Sequence, residues 1–300
     1  MKVFVTGATG VLGRSAVRAM LADGHEVSGI ARGADKARAL EATGVTPVRV
    51  QLFDIDALTR ALRGCDVVCN LATSIPVGLT GLRPGAWRVN DRLRVQGSRA
   101  VALAAEAAGA RRLVQESVSF LYADAGDDWI TETSPLAVTG ALEPAAVAET
   151  NALGFTSPFR EAVVLRFGSL VGADRVTGWM LDRARAGRPI GLGQPEGWAH
   201  LVQPEDAGSA VAAALQAPGG VYNVGADPVR RDAMLAVFGE IAHRPPPAYL
   251  PRLAVKVAGE RLEPLTRSHR ISSTKLHEMT GWKPAHPAFQ ADWVQPGSPR

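Results

Sequence analysis

The stretch Thr6-Gly7-Ala8-Thr9-Gly10-Val11-Leu12-Gly13 decides the fold of this chain. It follows a short apolar, β-branched run and precedes apolar residues at helical spacing. In such a strand–turn–helix unit, Gly7 permits the tight turn, Gly10 lets the backbone approach a pyrophosphate, and Gly13 lets the helix pack against the strand. The helix N-terminus then faces the anion. The predicted dinucleotide contacts are therefore Gly7, Thr9, Gly10, Val11, Leu12 and Gly13.

The alternation of strand and helix signals continues outward from this turn. Further strands are predicted at 26–31, 47–52, 66–71, 113–116, 162–167, 201–202 and 220–224. Helices are predicted at 35–42, 56–62, 84–110, 176–187 and 204–216, whereas 119–144 is expected to be irregular. Strands that alternate with helices indicate right-handed crossovers and a parallel sheet.

The expected architecture is an α/β fold with a Rossmann-type, doubly wound parallel sheet and a smaller, discontinuous C-terminal substrate-binding region. We assign residues 1–167 and 200–243 to the dinucleotide-binding domain, and residues 168–199 and 244–294 to the substrate-binding region. The last residues, 295–300, are expected to fray.

Composition excludes several functional classes. Hydrophobic residues are 46% and charged residues 21% of the 300 residues, as in globular proteins. No apolar run approaches the ~18 residues of a membrane span, and the net charge of +4 is not gathered into a basic block. The six histidines show no metal-ligand spacing, and the two cysteines lie in one apolar run. We therefore expect a cytoplasmic protein with no metal site, nucleic-acid partner or membrane partner.

The residues after the second strand select the cofactor. An acidic residue there would bind the ribose 2′-hydroxyl of NAD(H). This chain instead has Arg32, with Lys36 one helical turn beyond, and its nearest acid, Asp35, already lies in the next helix. A guanidinium suits a 2′-phosphate, so we expect NADP(H), although Arg32 as a solvated surface residue is the alternative.

Four stretches together carry a family resemblance: 6–13, 52–55, 70–73 and 165–168. With them the chain resembles the extended short-chain dehydrogenases/reductases of the NAD(P)-dependent epimerase/dehydratase type. Stretches 200–207, 222–225 and 272–284 also resemble this family, so the resemblance covers nearly the whole chain. The resemblance implies that Asp54 and Ile55 contact the adenine. It also implies that Leu71, Ala72 and Thr73 line the cofactor.

The catalytic residues of that family are missing here. Its members carry a serine or threonine and a Tyr-x-x-x-Lys helix before the strand at 162–167. Between Ala123 and Leu165 this chain has neither tyrosine nor lysine, and the expected pair falls on Glu143/Val147 or on Ala141/Ala145. The serine position falls on Val118, and Arg94 replaces the helical asparagine, with Asn90 one turn earlier.

Three hydroxyls remain as candidate catalytic groups: Ser117, Ser119 and Tyr122. Ser117 is also a candidate contact to the cofactor. Each has a structural alternative, in which Tyr122 packs at the strand end and the serines bond to the backbone. The other sources of a proton are an ordered water and an acidic hydroxyl of the substrate itself. The four aromatic residues Phe155, Phe159, Trp179 and Trp198 line a pocket or belong to the core.

The chain is similar to the ketoreductases that tailor aromatic polyketide antibiotics. This similarity implies NADPH-dependent reduction of a bulky aromatic ketone without the usual Tyr/Lys pair. Two alternatives stay open: a non-catalytic NADP(H)-binding redox sensor, and a non-redox epimerase, dehydratase or cyclase. The expected partner is a small-molecule aromatic ketone, and the expected assembly is a monomer or a homodimer.

Overall fold

A computed structural model describes residues 1–294, so the expected fraying of 295–300 lies outside the described residues. The strands are β1 (Lys2–Thr6), β2 (Glu26–Ile30), β3 (Thr46–Val48), β4 (Val67–Asn70), β5 (Arg112–Val118), β6 (Glu161–Phe167), β7 (Ser169–Leu170), β8 (Trp198–Ala199), β9 (Leu201–Val202), β10 (Gly220–Val224) and β11 (Val229–Arg230). Seven of them form one parallel sheet in the order β10-β6-β5-β4-β1-β2-β3. This confirms the predicted Rossmann-type fold.

Helices cover both faces of this sheet. They are α1 (Val11–Ala22), α2 (Ala34–Glu41), α3 (Ile55–Leu62), α4 (Arg88–Arg92), α5 (Ser98–Ala107), α6 (Glu143–Leu153), α7 (Arg175–Arg185), α8 (Pro204–Ala214), α9 (Arg231–Ala242), α10 (Arg252–Ala258), α11 (Thr274–Thr280) and α12 (Ala291–Val294). A π-helical segment, Leu93–Gly97, joins α4 to α5. None of these helices is long and apolar enough to span a bilayer.

The sheet register brings the site residues to one edge. In the parallel pairing, Thr6 of β1 lies opposite Asn70 of β4, and Asn70 lies opposite Gln115 of β5. Two residues on, Ser117 lies opposite Arg166 of β6. The carboxyl ends of the four central strands therefore meet at the edge where open α/β sheets bind ligands.

Three apolar cores hold the elements together. One face of the sheet packs against α1 and α8 around Val5, Val114 and Leu165, and the other packs against α3, α5 and α6 around Phe4 and Leu113. A third core joins α7, α9 and α12. It combines residues from 168–199 and from 200–243, so it draws on both predicted units; the division into two units stays a prediction.

Three details of the predicted elements were wrong. The helix expected at 84–110 begins only at Arg88, because Gly85 adopts a left-handed φ of 75°, and it ends at Ala107. The third strand stops at Val48. The stretch expected to be irregular ends in α6, where Pro144 lies in the first helical turn. Proline suits that position because its missing N–H would have no helical partner there.

Candidate functional site

The turn between β1 and α1 has the geometry of an anion site. Gly7 adopts a φ of +72°, and a Cβ on Gly13 would lie 2.1 Å from the Gly7 carbonyl oxygen, so neither position accepts a side chain. Gly10, the N-cap of α1, offers no side-chain cap, which leaves the first N–H groups of the helix without an acceptor. The cradle therefore fits a pyrophosphate group, and these first helical N–H groups would hold it.

The fourth-strand loop lies directly against this turn. A Cβ on Gly7 would approach the Leu71 carbonyl oxygen and the Ala72 backbone to 2.7–2.8 Å. Leu71 is buried, whereas Thr73 is exposed on the loop. Behind the loop, the Asn90 side chain accepts a hydrogen bond from the Ser74 N–H at 3.1 Å. The structure thus brings Leu71 and Ala72, two of the three predicted contacts, beside the glycine turn.

The residues predicted to contact the adenosine follow the second and third strands. Arg32 lines a groove that it shares with Phe53, while Lys36 is exposed on α2 and is not part of the groove wall. Asp54 caps α3, because its carboxylate accepts the Ala57 N–H at 2.9 Å. Ile55 follows it at the start of that helix and is 39% exposed.

A buried ion pair between β6 and α6 lies beside the end of β5. Arg166 donates two hydrogen bonds to the Glu149 carboxylate, at 2.9 and 2.6 Å, and both side chains are about nine-tenths buried or more. The Ser117 hydroxyl donates to the same carboxylate at 2.5 Å. Burial lowers the pKa of Arg166, but the hydrogen bonds and charge of Glu149 outweigh it and raise that pKa. Ser117 is therefore committed to Glu149 in this arrangement.

The Tyr122 side chain also has partners within the protein. Its side chain is fully buried, its hydroxyl donates to the Asn223 Oδ1 at 2.8 Å, and the Arg166 guanidinium lies 4.9 Å from its ring centre. Burial raises the pKa of the Tyr122 phenol, with Arg166 opposing in part. A raised pKa makes the phenol a weaker proton donor.

Ser119 is paired with a histidine that the site prediction did not include. The Ser119 Oγ and the His200 Nδ1 lie 3.0 Å apart, and both residues are buried. The His200 Nε2 has no hydrogen-bond partner within residues 1–294 and lies against Gly225. Burial, with His269 nearby, lowers the pKa of His200 to about 3, and burial lowers the pKa of His269 to about 4.

These two histidines predict acid sensitivity. A folded-state pKa below the unfolded value of about 6.5 gives stability that is present above that value and is lost as the pH falls towards 3 or 4. By this linkage, the lowered pKa of His200 makes the free energy of unfolding about 2 kcal/mol smaller near pH 5 than near pH 7. We expect His200→Gln to reduce the loss of unfolding free energy between about pH 7 and pH 5 by that amount. Urea unfolding at both pH values measures it; equal losses in variant and wild type would contradict it.

Three further buried polar contacts lie on the neighbouring strands and helix. Thr6 donates to Asn70 at 2.6 Å, and Asn70 donates to Gln115 at 2.8 Å. Arg94, in the π-helical segment, pairs with Glu116 at 2.8 Å, and both side chains are less than a tenth exposed. Arg94 thus stands where the resemblance implies an asparagine, and its charge is neutralised by the neighbouring strand.

The positions of the family's acid–base pair hold small or acidic residues. Ala141 precedes α6, Ala145 is buried in its first turn, and Glu143 begins it. In the other alignment Val147 takes the lysine position. Neither alignment therefore finds a tyrosine or a lysine at the two positions.

The four aromatic residues do not share one pocket. Phe155 belongs to the core and Phe159 is 87% exposed. Trp179 packs on Gly78, and Trp198 stacks against Arg230 at 3.9 Å. No group of three or more metal-ligating side chains occurs within the described residues.

Sequence reasoning missed Glu149, Arg166 and His200 as site residues. Two signals were present: an arginine inside the apolar run of β6 and a glutamate inside the alanine-rich helix before it. A charge at a strand position buried on both faces requires a partner of opposite charge. His200 carried no such signal, because its neighbours come from distant segments.

Comparisons with known proteins agree with this geometry. Residues 3–225 match the NAD dependent epimerase/dehydratase family. A "3-diazoavenalumate denitrifying reductase" of a Streptomyces species is 34% identical over 97% of this chain and 98% of its own length. A "4-hydroxy-2-methyl-3-oxo-4-farnesyl-3,4-dihydroquinoline-1-oxide ketoreductase" of Stigmatella aurantiaca is 31% identical over 58% of this chain and 52% of its own length.

Solved structures show the same fold. The UDP-glucose 4-epimerase of Thermus thermophilus, in complex with NAD, superimposes with a TM-score of 0.77. The match covers 98% of this chain and 97% of the epimerase at 24% sequence identity. At this identity the likeness concerns the fold alone.

Proposed function

This chain belongs to the NAD dependent epimerase/dehydratase family, and from that premise we propose that it is an NADPH-dependent reductase whose acceptor needs no acid from the protein. The family and its reductase relatives support a nicotinamide dinucleotide cofactor and a reductase or epimerase activity. One observation carries the finer proposal: the glycine cradle is intact, while neither alignment of the Tyr/Lys pair finds a tyrosine or a lysine at its positions. Arg32 supports NADPH over NADH.

The proposed acceptor is a ketone on a bulky aromatic substrate. When bound, the reduced dinucleotide supplies a hydride to the carbonyl carbon, and the oxygen takes its proton from a neighbouring phenol or from water. The hydroxyls of Ser117, Ser119 and Tyr122 already have partners. To donate a proton to the substrate, each of them would have to give up this hydrogen bond. The proposed source of the proton is therefore the substrate's own hydroxyl.

A second acceptor class is favoured by the reductase that matches over its full length, whose name specifies a diazo compound. A diazonium carbon that accepts a hydride releases N2 and requires no proton at an oxygen. This chemistry also suits a site without an acid. The carbonyl and diazo acceptors therefore require the same two things of the protein: it must orient the acceptor against the dinucleotide, and it must exclude bulk water from the site.

One experiment separates these activities from a binding-only role. The purified chain is mixed with NADPH and, in parallel, with phenolic aromatic ketones, the same ketones with the phenol methylated, and aryl diazo compounds. Dinucleotide oxidation and product mass are then measured. Reduction of the phenolic ketones but not the methylated ones supports the first acceptor, and N2 release supports the second. Binding without turnover on all three classes favours a redox sensor, and conversion without dinucleotide oxidation favours an epimerase, dehydratase or cyclase.

Tyr122→Phe tests the proposed absence of a tyrosine acid. We expect turnover to stay within about tenfold of wild type, with a loss of about 1 kcal/mol of stability from the missing bond to Asn223. Tyr222→Phe is the matched control, because that hydroxyl donates to the Pro218 carbonyl at 2.7 Å. A loss of about a thousandfold with dinucleotide binding intact would make Tyr122 the acid.

A further inference from the structure

A groove of about 790 Å³ lies where the segments that follow β2 and β3 meet the helix that begins at Arg88. Its lining includes Arg32 and Phe53. It also includes Arg88 and Arg92, which are four residues apart and therefore on one helix face. The groove is distinct from the glycine cradle, whose residues do not line it.

The groove is positively charged and its charges are unpaired. None of the three arginines forms an ion pair within residues 1–294, where the ion pairs involve other arginines. Asp91 is the one acidic residue in the wall. Like charges that face one groove repel each other, and an anion between them removes that repulsion.

Phe53 and Arg92 add a flat surface. The Arg92 guanidinium lies 4.0 Å from the centre of the Phe53 ring, and its Nε donates to the Gln96 side chain at 3.1 Å. These contacts fix the plane of the guanidinium, and its terminal nitrogens have no protein acceptor among residues 1–294. A planar stack of this kind suits a purine, and the free N–H groups suit an oxyanion.

The adenosine end of NADP(H) is expected beside Arg32, Asp54 and Ile55, and we propose that Arg88 and Arg92 bind its 2′-phosphate together with Arg32. The inference rests on the proposed function for the choice of nucleotide. To Arg32 it adds two further cations, Arg88 and Arg92, on the helix that follows the fourth strand. A phosphate dianion has three acceptor oxygens, so it can accept hydrogen bonds from more than one of the arginines that line this groove.

Fluorescence titrations of the full chain with NADPH and NADH test this assignment. We expect Arg88→Ala and Arg92→Ala each to weaken NADPH binding about tenfold, as for one charge-assisted hydrogen bond, and NADH binding by less than about twofold. Arg88→Lys keeps the charge and should recover part of the loss. Arg99→Ala, on the exposed face of α5, removes the same charge outside the groove and should leave both affinities unchanged.

Equal weakening for NADPH and NADH, or no weakening beyond the Arg99→Ala control, would overturn the assignment. Adenosine 2′,5′-bisphosphate and AMP provide a readout that involves no nicotinamide: only the bisphosphate should lose affinity in the two variants. If the arginine dependence is found but no acceptor is reduced, the proposed function fails and the groove assignment stands. If NADPH supports reduction while both variants bind it as wild type does, the groove assignment fails alone.

Discussion

Replacing Gly13 with alanine is expected to raise the dissociation constant for NADPH by at least about a hundredfold, equivalent to about 2.7 kcal/mol. The new Cβ would lie 2.1 Å from the Gly7 carbonyl oxygen and 2.8 Å from the Ala8 Cα. Both neighbours are backbone atoms, so α1 must move away from the turn. That movement takes the N–H groups at the helix N-terminus out of reach of a pyrophosphate.

Two companion variants keep this test interpretable if Gly13→Ala folds poorly. At Gly10 a Cβ would lie 3.2 Å from the Gly7 carbonyl oxygen, and the residue is exposed, so Gly10→Ala should fold and still obstruct the anion. At Gly178, in α7, a Cβ meets nothing within 4 Å, so Gly178→Ala should bind normally and gain about 0.5–1 kcal/mol of stability. Wild-type affinity in Gly10→Ala and Gly13→Ala would exclude the turn as the dinucleotide site.

Glu149→Leu is expected to lower the free energy of unfolding by about 3–5 kcal/mol, because it leaves the buried Arg166 guanidinium without its carboxylate. The two side chains make a bidentate contact, and Ser117 would lose its acceptor as well. Denaturant unfolding monitored by circular dichroism measures the change.

The double variant Glu149→Leu/Arg166→Leu should be more stable than Glu149→Leu alone, because an apolar pair leaves no buried charge without a partner. Arg18→Ala is the surface comparison: Arg18 and Glu205 lie 3.1 Å apart with both side chains more than half exposed, so the expected loss is under about 1 kcal/mol. A loss in Glu149→Leu no larger than in Arg18→Ala would refute the account, as would a double variant that is no more stable than the single one.

Much of the site could be placed from the sequence because its signals are local. The turn at 6–13 needs particular backbone angles and close approaches that only glycine supplies, and these requirements are visible in eight consecutive residues. The contacts at the end of the fourth strand were instead predicted from the family resemblance of residues 70–73. Pro144 was interpreted as part of an irregular stretch although it starts a helix, because proline occurs both in loops and in the first helical turn.

The sequence by itself determined the parallel sheet, the glycine turn at 6–13 and the absence of a Tyr/Lys pair between residues 123 and 165. Only the tertiary structure decided which groups are free to act. It placed Glu149 and Arg166 against Ser117, His200 against Ser119, and Asn223 against Tyr122. These partners lie 17–101 residues apart along the chain. Such contacts arise from strand register and burial, in which each buried polar group must find an acceptor or donor, and no local pattern encodes them.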